Sequence, residues 1–332
     1  LIADVVVDLQ YGDCGKGKVT NHLCKTEDYT HVIRYNGGCN AGHTIYHNGR
    51  KLITHHIPCG VLHGIKSIIG PGCVVYPDQL FAEIKELEDA GIPARRFVRV
   101  ARNTHVITRA HVREDGRDDA IGTTKRGNGP AYRDKYSRTG VRAEDVEALQ
   151  DYIVDIYDEL HNSDDEVRIL FEGAQGFGLD VDWGDYPFVT SSHCTSASAL
   201  LNGVPPQSIR NVYGVAKMYE TYVGAKKFQP SEEIFNEIRE AGEEYGATTG
   251  RPRQCNWMNW DLLRKAININ GVTNLIVNKV DVLEKIGRWE LLYEDKPVRF
   301  ASSDAMKGWL TIFSEMLPTI NNVTFSGNKE TI

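Results

Sequence analysis

The segment "DVVVDLQYGDCGKGKV" (4–19) constrains the fold more than any other part of the chain. "DVVVDL" (4–9) is a short β-branched run suited to a buried strand, and it ends at a glycine-rich loop. "KVTNHLC" then reads as the start of a helix. Strand, loop and helix in that order make a phosphate cradle. Glycines let backbone N–H groups approach an anion, and the helix N-terminus adds its dipole. The loop nearly fits G-x-x-x-x-G-K-[ST]: Gly12, Gly17 and Lys18 match, but Val19 stands where a hydroxyl would hold Mg²⁺. Gly15 and Lys16 add a further backbone donor and a second ammonium. Asp13 lies inside the same loop, where a carboxylate repels phosphate unless it binds a metal ion or takes a proton. Asp13 is therefore the candidate to replace the missing hydroxyl.

Strands and helices alternate beyond this point. "DQLFAEIKELEDAGIP" (78–93) sets Leu80, Phe81, Ile84 and Leu87 on one helical face and stops at Gly91 and Pro93. "AEDVEALQDYIVDIYDELH" (143–161) predicts a second helix, with Val146, Leu149, Ile153, Ile156 and Leu160 on its face. "RILFEGAQG" (168–176) and "TNLIVNKVD" (273–281) predict strands, and "WDLLRKAININ" (260–270) a helix. The pattern predicts an α/β fold with a mainly parallel central sheet and ligands at the carboxyl ends of its strands. The polar stretch 113–129 predicts a long mobile loop.

Charge and cysteine usage exclude several classes. A net charge of −7 argues against a general nucleic-acid or membrane-surface binder. No apolar run approaches the roughly 18 residues that span a bilayer, and the first residues lack a basic leader, so neither anchor nor signal peptide is expected. Seven cysteines without a C-x-x-C pair suit a reducing compartment, so a cytoplasmic location is expected.

Three more loops carry candidate chemistry. "NGGCNAGHT" (36–44) again brings backbone close to a ligand through Gly37, Gly38 and Gly42, and it carries Asn40 and His43. His43 is a candidate acid or donor to a phosphoryl oxygen. "NKVD" (278–281) is a guanine-reading tetrapeptide in which Asp281 would accept from the guanine N1–H and 2-amino groups. "GATTGRPRQ" (246–254) holds Thr248, Thr249, Arg251 and Arg253, a donor set for a small carboxylate or a phosphate. Each loop alone also reads as an ordinary packed or solvated turn; their combination favours an enzyme. A regulatory GTPase would have Ser or Thr at 19 and a D-x-x-G switch, and a binding module would not need Asp13 and His43 together.

In order, "QYGDCGKGKV", "VIRYNGGCNAGHTI", "GTTKRGNGPAYRDKYSR", "FEGAQGFGLDVDWGDYPFVTSS", "KMYETYVG", "GATTGRPR", "NKVDVLE" and "FSGNKETI" resemble the adenylosuccinate synthetase family in its short form. The resemblance implies one large α/β domain over residues 1–332, in place of the two that length suggests. It also implies a ligase that joins L-aspartate to C6 of a 6-oxopurine nucleotide through a 6-phosphoryl intermediate, with Mg²⁺. Asp13 would contact the metal and take the proton from purine N1, the Gly42 carbonyl would complete the metal site, and His43 would stabilise the transferring phosphoryl group. Gly12, Gly15, Lys16, Gly17 and Lys18 would hold the triphosphate, with Lys279 and Asp281 at its base. Asn40, Thr124, Gln175, Thr190 and Val223 would line the purine-nucleotide site. Arg138 would reach the nucleotide of a neighbouring subunit, implying a homodimer. Thr249, Arg251 and Arg253 would hold the aspartate carboxylates.

The chain departs from the pattern of IMP-using members at several ligand loops. Tyr11 and Cys14 replace Trp and Glu, Asp8 and Leu9 replace small residues, Tyr222 replaces an arginine beside the ribose, and Asn328 replaces a proline that packs on guanine. The "VDLQ[YF]G" opening resembles a phage branch that makes 2-amino-2′-deoxyadenylosuccinate from dGMP, which would place the chain in a host cytoplasm. On these grounds the expected substrate is dGMP, with IMP and GTP as the alternative. The expected donor is GTP, or ATP or dATP if the change at 328 relaxes guanine selection.

Overall fold

The computed structural model describes residues 1–47, 49–117, 120–246, 250–327 and 332. Its largest sheet has nine strands, and every neighbouring pair is parallel. They are β1 (Ile2–Asp8), β2 (His31–Arg34), β3 (Lys66–Ile69), β4 (Val98–Ala101), β5 (Ile153–Val154), β6 (Arg168–Glu172), β7 (Ile209–Lys217), β8 (Asn274–Asn278) and β9 (Asn322–Ser326). Their spatial order is β9-β8-β7-β1-β6-β2-β3-β4-β5. Strands β2 to β5 lie on one side of β1 and β7 to β9 on the other, so the order reverses around β1 and β6. A crevice opens there at the carboxyl ends, where such sheets bind ligands. Beside this sheet, strands Tyr219–Tyr222, Gln254–Asn259, Trp289–Tyr293 and Lys296–Phe300 form a second, mixed sheet.

Strand β1 is buried on both faces, as its valine run predicts. Ala3, Val5 and Val7 pack into one core with Ile33, Phe171 and Leu275. Val6 points the other way, to Val19 and Leu23 of helix α1 (Lys16–Thr26) and to Leu170, Val215 and Ile276. Each fully buried valine is worth about 1.5–3 kcal/mol. Val19, fully buried, belongs to the core rather than to the phosphate cradle. Helices at 77–89 and 260–270 also form where the apolar spacing places them, with Leu80, Ile84 and Leu87 buried in the first. No helix among the described residues is long and apolar enough to cross a membrane.

Two expectations need correction. Residues 143–161 are not one helix but two 3₁₀ turns (Ala143–Asp145 and Glu147–Tyr152), strand β5 and a short helix, Ile156–His161. Leu149, Ile156 and Leu160 are still buried, so the apolar spacing is met without a continuous helix. The Gln150 side chain donates to the carbonyls of Glu144 and Val146, Ile153 pairs with Val100 at the sheet edge, and Asp155 caps a fresh start by accepting from Tyr157 N–H. The stretch 113–129 is not loop at its two ends. It begins in helix Arg109–Asp115 and ends in helix Asn128–Ser137, and buried Asp115 ties it down by accepting from Thr123 Oγ1 (2.9 Å) and Gly127 N–H (2.8 Å).

Candidate active site

The loop after β1 turns on Gly12, Asp13 and Gly15, all with positive φ. At Gly15 a Cβ would stand 2.8 Å from the Asn278 side chain, whose Nδ2 donates to the Cys14 carbonyl (2.7 Å). That bond ties the NKVD strand to the phosphate loop. Beneath the loop lies Asp8, fully buried. Its Oδ1 accepts from Gln10 and Gly12 N–H (3.0 and 3.1 Å), and its Oδ2 from Cys14 N–H (3.0 Å) and Lys16 Nζ (3.2 Å). An internal carboxylate thus takes up three backbone donors and one ammonium of the loop. The N–H groups at the start of α1, which carry no side-chain cap, are left for an external anion. Lys16 also donates to the Gln175 carbonyl (2.5 Å). Cys14 is buried with its Sγ toward Gln10 Oε1 (3.2 Å), and burial and the Asp8 carboxylate push its thiol pKa well up.

The loop borders a cavity of about 640 Å³. Gly12, Asp13, Gly15, Lys16 and Gly17 line it from one side, with Asn40, Gly42 and His43 from the second glycine-rich loop. Thr124, Gln175, Thr190, Val223 and Arg253 complete the predicted residues in its wall, together with Tyr11 and Tyr222. Gln175 Nε2 donates to Asn40 Oδ1 (2.9 Å), which joins two of these loops. Glycine at 176 permits the approach, since a Cβ there would meet Gly12 N at 2.5 Å.

Other predicted residues stand outside this cavity. Lys18 donates to Ser326 Oγ (3.0 Å) at the end of β9, and burial with Lys279 nearby lowers its pKa to about 8. Lys279 Nζ donates to the Gly242 carbonyl (2.7 Å), and Asp281 pairs with Lys285 (3.3 Å). These three gather at the ends of β8 and β9, beside the cavity rather than in its wall. Arg251 Nη2 donates to the Val223 carbonyl (2.6 Å) and so supports the wall from behind. Arg138 is exposed at the C-cap of helix Asn128–Ser137. Thr248, Thr249 and Asn328 lie outside the described residues. Cys14 does not line the cavity.

His43 is buried on an acid that the sequence reading did not single out. Its Nδ1 hydrogen bonds to Glu172 Oε1 at the end of β6, and Arg34 Nη2 lies 3.0 Å from the same oxygen. Cys59 N–H donates to the other carboxylate oxygen (2.8 Å). Burial would raise Glu172, but Arg34 and His43 outweigh it and hold its pKa at about 2. Burial, then Arg34, depress His43 to about 4 against the pull of Glu172. His43 is thus neutral at pH 7 with its proton on Nδ1, and Nε2 has no partner among the described residues. His43, Cys59 and Glu172 lie close enough to suggest a metal site, but the Arg34 guanidinium occupies that place and repels a cation.

Asp13 offers a different prospect. Its side chain is 37% exposed and Oδ2 lies 3.2 Å from Arg253 Nε. Its carboxylate shares the cavity wall with the Gly42 backbone, an oxygen donor set that suits Mg²⁺, a hard ion that keeps waters and takes substrate phosphates for its remaining ligands. Arg34, Glu172, Asp8, Lys217 and Glu244 were missed as site residues. Two of them carried a signal: Asp8 as a departure from the family pattern at the first loop, and Glu172 as an acid closing the apolar run "RILF" just before a glycine.

A glycine-rich anion cradle, an acid and a histidine around one cavity at the switch point of a parallel sheet define a phosphate-handling nucleotide enzyme. The adenylosuccinate synthetase family model matches residues 5–150 and 146–292. Adenylosuccinate synthetase of Xylella fastidiosa (strain 9a5c) is 40% identical over 363 aligned positions, covering 92% of this chain and 84% of the relative. That of Thermodesulfovibrio yellowstonii is 38% identical, covering 85% and 78%. The chain belongs to the adenylosuccinate synthetase family, and it is a C–N bond-forming ligase. Among solved structures, fully ligated adenylosuccinate synthetase from Plasmodium falciparum superimposes with a TM-score of 0.87 at 27% identity, covering 99% of this chain and 98% of that one. Succinoaminodeoxyadenylate synthetase of cyanophage S-2L, bound to dGMP and dATP, gives 0.71 at 23% identity, covering 94% and 99%, and shows a shared fold.

Proposed function

We propose that the chain joins L-aspartate to C6 of IMP, with GTP as phosphoryl donor, releasing GDP and phosphate. The observation that carries the reading is that Asp13, His43 and the uncapped start of α1 border one cavity. The closer likeness to relatives named adenylosuccinate synthetase favours IMP over dGMP. Purine O6 attacks the γ-phosphorus as Asp13 takes the N1 proton; the aspartate amine then displaces phosphate from C6. A free carboxylate is a weak base, with a pKa of about 3.9, so N1 loses its proton in concert with phosphoryl transfer. Mg²⁺ at Asp13 and the Gly42 carbonyl would supply charge neutralisation on the phosphates. His43 enters with a lone pair on Nε2. The negative charge of the triphosphate favours its protonation, and Glu172 then balances the imidazolium that donates to the phosphoryl oxygens.

Arg253, with Arg251 and Thr249, would bind the aspartate carboxylates. Asn40, Thr124, Gln175, Thr190 and Val223 would bind the nucleotide, and Lys18, Lys279 and Asp281 the donor. The exposure of Arg138 supports a homodimer in which it serves the neighbouring subunit. One observation favours dGMP as a second reading: Tyr222, where the family pattern has arginine, is buried in the cavity wall. The test supplies Mg²⁺, L-aspartate and GTP or ATP, offers IMP or dGMP separately, and follows phosphate release with product mass. Turnover on IMP supports the proposal; turnover on dGMP alone replaces it with the diaminopurine reaction.

A further inference from the structure

A buried charged cluster behind the cavity wall is centred on Glu244, which is fully buried. Its carboxylate accepts from Lys217 Nζ (3.2 Å to each oxygen), Tyr219 OH (2.5 Å) and Arg253 Nη1 (2.6 Å). Lys217 comes from the carboxyl end of β7 and also donates to Thr221 Oγ1 (2.6 Å). Burial alone would raise Glu244, but Lys217 and Arg253 outweigh it, and its pKa stays at about 2. The main chain pins the same pair. Arg253 N–H donates to the Glu244 carbonyl (2.9 Å), Tyr245 bridges Pro252, and Arg239 Nε donates to the Arg253 carbonyl (2.6 Å). Charges therefore alternate from the core to the cavity: Lys217, Glu244, Arg253, Asp13.

We propose that Glu244 is the positioning residue for Arg253, holding one edge of its guanidinium so that the other edge meets the substrate carboxylate. The inference rests on the reading of Arg253 as an aspartate-binding residue. Arg253 Nε is buried, 3.2 Å from Asp13, without an aligned hydrogen bond. This is a loose contact that an incoming carboxylate can take over. Remove the charge at 244, and Lys217 and Arg253 become two neighbouring cations with Asp13 as the nearest remaining anion. Arg253 then turns to Asp13, and the substrate carboxylate must compete with it.

The test measures KM for each substrate and kcat in Glu244→Gln, Tyr219→Phe and Arg253→Lys. Glu244→Gln is expected to raise KM for L-aspartate about tenfold or more, the scale of one charge-assisted hydrogen bond, with both nucleotide KM values within about twofold. Tyr219→Phe removes a single donor to Glu244 while keeping the ring. It is expected to raise the same KM by about two- to fivefold, and it decides the matter if Glu244→Gln does not fold. Equal rises in all three KM values, or a loss of kcat with KM for L-aspartate unchanged, overturn the proposal and make the cluster purely structural. If Arg253→Lys also leaves that KM unchanged, the reading of Arg253 itself has failed. If Arg253→Lys raises it but the other two variants do not, only the role of Glu244 has failed.

Discussion

Asp8→Asn tests whether an internal carboxylate shapes the phosphate loop. The native side chain satisfies four donors at 3.0–3.2 Å, three from the backbone and one from Lys16, and the pair it makes with Lys16 is buried on both sides. An asparagine that keeps its oxygen toward Gln10 and Gly12 turns its NH₂ onto Cys14 N–H and the Lys16 ammonium, so donors face donors. Removing one partner of a buried ion pair costs about 3–5 kcal/mol. Lys16 retains the Gln175 carbonyl at 2.5 Å, which places the expected loss near the lower end, about 3 kcal/mol. Equilibrium urea denaturation of both proteins reads this directly, and the KM for the triphosphate should rise with it because the loop loses its template. A loss below about 1 kcal/mol would refute the reasoning, since water would then be replacing the carboxylate and the loop would hold its shape without it.

On the proposed mechanism Asp13→Asn should lower kcat by about a thousandfold or more, since it would remove both the base and the metal's carboxylate. Calorimetric affinity for IMP should stay within a few-fold, and a variant that keeps a tenth of the activity would remove Asp13 from the chemistry. His43→Gln should cost about 10²–10⁴ in kcat with nucleotide affinity nearly unchanged; a change in KM alone would make it a binding residue only. Glu220, fully buried, is raised from 4.5 to about 8 by burial, against the Asn259 N–H and Lys226. Its contribution to stability is full below pH 4.5 and is lost as pH rises through 8, so Glu220→Gln should stabilise the protein by a few kcal/mol at pH 8.5, shrinking toward zero near pH 4.5. A difference that does not vary with pH would contradict this. In the opposite sense, Glu172 and Glu244, both held at about 2, contribute stability above pH 4.5 that is lost as pH falls toward 2. An acid-unfolding titration of Glu172→Gln should therefore lose part of that slope.

What the sequence made legible was whatever depends on near neighbours. The valine run of β1, the glycines around Asp13 and the helix at 260–270 are local. That helix begins where the Asn259 side chain accepts from Leu262 N–H (3.0 Å) and ends at Gly271 with φ 62. The error at 143–161 is also local in origin. Spacing near 3.6 says which residues face the core but not whether their backbone groups bond to one another, and there a glutamine side chain and a sheet edge took those bonds instead. The charged support of the site could not be read this way. Glu172 is 129 residues from His43 and 138 from Arg34, and Glu244 reaches Lys217 across 27. No periodicity links such positions; only the strand order brings the end of β6 against β2 and the end of β7 against the loop before Arg253.

The same distinction separates the departures that bear on substrate from those that do not. Asp8 and Cys14 differ from the family pattern, yet both lie beneath the loop. The carboxylate of Asp8 bonds to the backbone of Cys14 itself, so an acid still braces the loop although position 14 carries none. Tyr222 differs in kind. It lines the cavity, packs edge-on to Tyr11 with ring centroids 5.8 Å apart, and lies under the Lys226 ammonium, which sits 5.9 Å from its centroid and is paired with Asp185. An arginine at 222 would offer a fork of donors to a sugar hydroxyl; the tyrosine offers a ring face and one hydroxyl. If the sugar lies where the family pattern places it, a ribonucleotide and a deoxyribonucleotide are told apart at the wall built by Tyr11 and Tyr222. Tyr222→Arg is the substitution that tests it, read as the ratio of kcat/KM for a ribonucleotide to that for its 2′-deoxy analogue.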